Sequence, residues 1–180
     1  MIFTELPLSG AYAVDMQRLD DERGFFARSY CAEEFAARGL GPELRQCSVS
    51  YNAHKGTLRG LHYQSAPHEE HKLVRCTAGA IFDVIVDIRA SSPTYRQWYA
   101  TELTANNHLA LFIPPGFAHG FVSLTDHTEV YYMISAAHAP EFGRGLRWSD
   151  PAIGIEWPLP PAVISARDAS YPLLDVPSGT

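Results

Sequence analysis

GTLRGLHYQSAPHEEHKLVRCTAG (residues 56–79) and PPGFAHGF (residues 114–121) are the two stretches on which the reading of this chain turns. In the first, Gly56 is followed after five residues by His62 and then by Gln64, and Lys72 is followed after six by Gly79. The second sets Pro114, Gly116 and His119 around a tight turn. Around both lie short runs of β-branched and aromatic residues broken by Gly, Pro and Asn, the pattern of short strands. The clearest covers 80–88, AIFDVIVDI: alternation puts Phe82, Val84, Val86 and Ile88 on one face, with Asp83 and Asp87 among apolar residues on the other. Residues 109–113, 119–124 and 129–135 repeat the style. Many short strands at close spacing predict an all-β barrel or sandwich. One helix is legible over 31–39, with Glu33 and Glu34 early and Gly39 as its stop. From Trp157 through Pro158, Pro160 and Pro161 the chain reads as a proline-braced tail that wraps the barrel.

A length of 180 residues suits one domain with a core and is short for two, so residues 1–180 read as a single domain. Hydrophobic residues make up 46%, including three Trp and nine each of Tyr and Phe, which is enough to fill a barrel and too much for disorder. The net charge of −6, without a run of like charges, argues against nucleic acid or an anionic membrane surface as partner. An anionic small molecule stays compatible, since a few local arginines outweigh a mildly acidic whole. Cys31, Cys47 and Cys76 are odd in number and lack paired spacing, which speaks against a disulfide framework and a thiolate zinc site. The first ten residues lack the basic head and apolar run of a signal peptide. No apolar stretch approaches the length of a membrane span. Together these features predict a reduced, cytoplasmic protein.

The two quoted segments resemble the paired motifs of the cupin barrel, a double-stranded β-helix (jelly roll), here with short peripheral helices. In metal-binding cupins two histidines and a glutamate of the first motif and a histidine of the second hold one metal in the barrel mouth. This chain has His62 and His119, but Gln64 and Lys72 stand at the other two positions. An ammonium carries the wrong charge for a divalent cation and has no lone pair, so no metal is expected. A lysine there supplies a fixed positive charge suited to an enolate oxygen. His68 and His71, in HEEHK, imitate a metal spacing but read as surface residues of a polar loop.

At RGLHYQ (59–64), KLVRC (72–76), DVIVDIR (83–89), SSPTY (91–95) and PPGFAHGF the chain resembles the dTDP-4-dehydrorhamnose 3,5-epimerase family. DERGFF (21–26), EVYY (129–132), WSDP (148–151) and ISARD (164–168) extend the likeness, in order, over nearly the whole length. The resemblance implies an isomerase that needs no metal or organic cofactor and acts on a nucleoside-diphosphate-4-keto-6-deoxy sugar. His62 would be the base, Asp168 its partner, and Tyr132 the acid on the opposite face of the sugar. Lys72 and His119 would stabilise charge on O4, with Asp83 a candidate to orient His119. Arg23 and Arg59 match arginines that hold diphosphate and sugar, a role that planar guanidinium forks suit. A homodimer is implied, in which an N-terminal strand of one subunit reaches the other's site. The chemistry explains these residue types. Protons on C3 and C5 both lie α to the C4 ketone, histidine accepts a proton near neutrality, and a carboxylate fixes its tautomer.

Departures from the family pattern gather at the nucleotide end. Arg28 stands where glutamate is common, Gln46 is kept but Ser48 replaces an asparagine, and His138 replaces a base-stacking tyrosine. Gly143 replaces a ligand glutamate and Arg167 a lysine. They leave open whether the base is thymine or that of a CDP-, GDP- or UDP-linked sugar. Two rival readings remain: a metal-dependent cupin enzyme, and a catalytically silent sugar-nucleotide-binding cupin.

Overall fold

The structure, a computed structural model, describes residues 1–40 and 43–174. Its strands are β1 Ile2–Glu5, β2 Tyr12–Asp15, β3 Arg18–Asp21, β4 Gly24–Ala27, β5 Gln46–Asn52, β6 Thr57–Gln64 and β7 Lys72–Ala78. They continue as β8 Ala80–Asp87, β9 Trp98–Thr104, β10 Ala110–Ile113, β11 Phe117–Ser123, β12 Thr128–Ile134, β13 Gly143–Gly145 and β14 Val163–Ile164. Two short helices, α1 Ala32–Ala36 and α2 Ala166–Ala169, lie at the periphery. No helix among the described residues is long and apolar enough to cross a membrane.

One antiparallel sheet runs β1-β2-β10-β7-β12-β5 and a second runs β13-β6-β11-β8-β9, with β14 lying parallel to β6. This is the all-β architecture that the strand spacing predicts, of the cupin type that the two motifs resemble. Side-chain alternation makes three apolar layers from two sheets. Val74, Cys76, Ile81, Ile85, Leu111, Phe121 and Val130 point inward and form the core between the sheets. Val84, Val86 and Ala118 point outward, where Ile153, Ile155 and Trp157 of the C-terminal tail cover them, as the prolines suggest. On the far side of the first sheet, Phe35 of α1 is fully buried beside Phe3, Tyr30 and Phe112. The helix expected over 31–39 is shorter than its signals: Cys31 is the N-cap, and Gly39, at φ +69°, closes the turn after it.

Both faces of β8 are buried, so its two aspartates need partners. The Asp87 carboxylate accepts hydrogen bonds from the Arg89 backbone N–H (3.0 Å), Arg89 Nε (2.9 Å) and Nη2 (2.7 Å), Ser92 Oγ and Thr94 Oγ1 (2.7 Å). Burial alone pushes this carboxyl up, but the donors together hold it far below the usual carboxylate range. Because the folded-state value is depressed, the stabilisation is complete above the unfolded-state pKa of about 4 and fades as pH falls below it. Asp87→Asn turns an amide NH2 toward the guanidinium and should cost about 2–3 kcal/mol. Thermal melts from pH 3 to 7 should show a Tm lowered near neutrality and a gap to wild type that narrows with acid. A constant gap would dissociate the loss from the carboxylate charge.

Candidate active site

The site begins with a mismatch between β6 and β11. His119 pairs with His62, but Phe121 pairs with Arg59, so three steps on β6 match two on β11. The bulge falls at Gly60, whose φ of +142° suits glycine and whose Cβ would come within 2.6 Å of Gly120 Cα. In a regular strand residues 59 and 62 face opposite ways. The extra residue turns both toward one cavity.

That cavity, of about 280 Å³, is lined by Ser48, Ser50, Arg59, His62, Lys72, His119, Tyr132 and Ile134. One wall is the second sheet, which carries His62 on β6 and His119 on β11. The other is the first sheet, where Tyr132 pairs with Ser48 of β5 and Ile134 with Lys72 of β7. Val130 lies in the inner core, and two residues on Tyr132 shares its face, packed against that core. Tyr131 faces away, into a groove with Arg75 and Met133.

Each histidine is tied to a buried carboxylate. His62 Nε2 lies 2.8 Å from Asp168 Oδ1, while Asp168 Oδ2 accepts from the Gly60 N–H at 3.1 Å. Asp168 is held by α2, where the Ser165 hydroxyl caps the Asp168 N–H at 3.0 Å. Burial raises the Asp168 carboxyl, but bonds from His62, Gly60 and Ser165 outweigh it and leave the group below its ordinary value. The His62 side chain remains 42% exposed and reachable from the cavity. His119 Nε2 lies 2.8 Å from Asp83 Oδ1, and both residues are buried. The rings of His119 and Tyr132 meet edge to face at 5.9 Å. Burial, reinforced by the Asp83 charge and only partly opposed by Arg59, drives the Tyr132 phenol well above its ordinary value. The phenol therefore rests protonated, as a proton donor must.

The remaining motif residues have other partners. Gln64 Nε2 donates to the carbonyls of His68 (2.9 Å) and Ala137 (3.3 Å), and its Oε1 accepts from the Ala139 N–H at 2.7 Å. Lys72 Nζ sits 3.0 Å from Glu70 Oε1 and donates to the His62 carbonyl at 3.2 Å. An amide locked to backbone and an ammonium beside a carboxylate make a poor donor set for a divalent cation. No group of three or more His, Cys, Asp or Glu residues with metal-holding geometry occurs among the described residues.

A second cavity of about 430 Å³ adjoins the first, with Ser48, His62 and Ile134 common to both linings. Ser48, His138, Gly143 and Arg167 line it beside Gln46, so most of the nucleotide-end departures meet in one place. Arg59 is steadied by Asn52 Oδ1 at 2.8 Å. Arg23 and Arg28 line neither cavity: Arg23 sits in the β3–β4 turn, paired with Asp21, and Arg28 directly follows β4, paired with Glu34. The HEEHK loop is less exposed than its composition suggests. His68 packs on Phe142 at 4.3 Å, and His71 lies 5.6 Å from Phe112, where burial pushes its imidazole down. Glu70, Asn52 and Ser165 bond Lys72, Arg59 and Asp168 respectively, and the sequence reading singled out none of the three.

Comparison with known proteins converges on one answer. The family model described as dTDP-4-dehydrorhamnose 3,5-epimerase matches residues 5–175. A dTDP-4-dehydrorhamnose 3,5-epimerase of Sinorhizobium fredii is 42% identical over 97% of this chain and 90% of its own. The crystal structure of the Bacillus anthracis dTDP-4-dehydrorhamnose 3,5-epimerase, with TDP and PPi bound, superposes with a TM-score of 0.93 at 39% identity, covering 96% of this chain and 99% of the other. The Legionella pneumophila dTDP-6-deoxy-D-glucose-3,5-epimerase, in complex with dTDP-4-keto-L-rhamnose, gives 0.90 at 35% identity, covering 96% and 92%. With its jelly roll, its two facing walls and a match running nearly end to end, the chain belongs to the dTDP-4-dehydrorhamnose 3,5-epimerase family and is an isomerase of that kind.

Proposed function

We propose that the protein inverts C3, C5 or both in a nucleoside-diphosphate-4-keto-6-deoxyhexose, through an enolate and without a metal or organic cofactor. The supporting observation is that His62 and Tyr132 come from facing sheets onto one cavity that also holds Lys72 and His119. His62 removes the proton from C3 or C5, and the electron pair moves onto O4. The Lys72 ammonium and His119 stabilise that oxygen. Tyr132 protonates the same carbon from the other side, leaving an inverted centre, a protonated His62 and a phenolate. Loss of the His62 proton to solvent and uptake of one by Tyr132 reset the site. Arg59 and Arg167 provide cations for the diphosphate end.

TDP and a dTDP-sugar bound to the relatives make a dTDP-linked substrate the first to test. The residues at His138, Gly143 and Arg167 are the reason to extend the panel to CDP-, GDP- and UDP-sugars. Incubation of each in D2O, followed by NMR and mass spectrometry, should show deuterium at C3 or C5 together with epimerised product for at least one. EDTA should leave the rate unchanged. Binding without exchange at carbon would instead mark a silent binding protein, and activity lost on chelation a metal-dependent cupin.

The proposed assembly is a homodimer in which the β3–β4 hairpin carries Arg23 and Arg28 toward the partner's site. In support, this hairpin exposes Leu19 (65%) and Phe26 (75%), large apolar side chains that suit a covered surface. Sedimentation equilibrium returning a monomer at micromolar concentration would remove this part of the reading.

A further inference from the structure

The chain contains only two lysines, Lys55 and Lys72. Lys55 is exposed, while the Lys72 side chain is 10% exposed and faces a Glu70 side chain that is 12% exposed. We propose that Glu70 is a positioning residue that holds the Lys72 ammonium in its working orientation; the functional part of this inference rests on the epimerase reading.

An ammonium has three hydrogens to place. Glu70 Oε1, at 3.0 Å, and the His62 carbonyl, at 3.2 Å, engage two of them, which leaves the third for the cavity shared with Tyr132 and His119. The carbonyl belongs to the histidine proposed as base, so the same contact ties the cation's position to that of the base. Glu70 itself is held from behind. His71, between Glu70 and Lys72, is clamped to the end of β12: its N–H donates to Ser135 Oγ at 2.8 Å, and the Ser135 N–H donates to its carbonyl at 3.1 Å. With the intervening residue fixed, the carboxylate and the ammonium meet on one side of the chain. Glu70 lines the larger cavity and Lys72 the smaller, so the ion pair stands where the two adjoin. Without Glu70 the four-carbon stem regains its rotamers and the cation loses its register with the oxygen it serves.

Two measurements test this. Reductive methylation followed by peptide mass spectrometry reads each lysine without substrate, with Lys55 as internal control. In wild type Lys72 should react slowly; Glu70→Ala should speed Lys72 by at least about five-fold, as expected for a lysine freed from a desolvated pair, and leave Lys55 unchanged. In turnover, Glu70→Ala should lower kcat by about 10- to 100-fold, the scale of a misplaced catalytic group, and change KM by less than about three-fold. Glu70→Gln, which keeps an oxygen acceptor at the same reach, should recover most of the rate. Should the alanine variant fail to fold, Glu70→Asp shortens the reach by one methylene and should show the same split. Unchanged Lys72 labelling overturns the proposal, as does a rise in KM at constant kcat, which would make Glu70 a nucleotide contact. A wild type inert toward the whole sugar panel overturns the epimerase reading instead, and the labelling still decides whether Glu70 holds Lys72.

Discussion

His62→Ala is expected to abolish deuterium uptake at both C3 and C5, because in the proposed mechanism one imidazole on one wall of the cavity serves both positions. The ring is anchored through Nε2 to Asp168 and still open to the cavity, which is the arrangement an acceptor needs. Removing a positioned base costs about 10²- to 10⁴-fold in general, and here no second base lies on that wall, since His119 is buried and bound to Asp83. Asp168→Asn should slow exchange less completely, because it removes orientation and charge while leaving the acceptor in place. Near-native exchange in His62→Ala would show that the proton leaves by another route.

Tyr132→Phe should separate the two halves of the reaction. The ring still packs against the inner core, but the phenolic proton is gone. In the proposed mechanism His62 and Lys72 still form the enolate, and His62 returns a proton to the face it came from. Solvent deuterium therefore enters at C3 or C5 while the configuration stays that of the substrate, and inverted product falls by about 10- to 1,000-fold. NMR of the recovered sugar nucleotide reads both quantities. Tyr131→Phe is the matched control, because Tyr131 points into the outer groove, away from the cavity that Tyr132 lines. Full inversion by Tyr132→Phe with an impaired Tyr131→Phe would mean that β12 sits one residue out of register.

Much of the fold was open to reading because strands reveal themselves locally. Alternation in 80–88 and the turn residues around 114–116 are short-range signals, and β8 and β11 lie where those signals are. That His62, Lys72 and His119 share one cavity was legible from the likeness of two motifs to those of cupins. Other parts depend on chain segments that only folding brings together. Asp168 reaches His62 across 106 residues, and nothing in ISARD alone marks it as buried. The choice of Tyr132 over Tyr131 came from family likeness; strand parity now supplies a physical reason for it. Glu70, His68 and His71 were hidden by composition, since HEEHK looks solvated until Phe142, Phe112 and Ser135 close around it. The bulge at Gly60 was invisible for a related reason: it is a relation between two strands, and neither carries it alone.

That mismatch also bears on how this enzyme can change over evolutionary time. Point substitutions leave the length of β6 alone, but loss of one residue at 60–61 would let its ladder with β11 run straight. Arg59 and His62 would then stand two apart and still face the same way, so what the deletion removes is the bulge itself, with the Gly60 N–H that bonds the Asp168 carboxylate. The hydrogen-bonded sheet could survive such a deletion and the protein still be made, yet Asp168 would lose one of its two bonds to β6 and hold His62 less firmly. Descent within this lineage should therefore tolerate exchanges of side chain around the cavity far more readily than any gain or loss of a residue in this one strand.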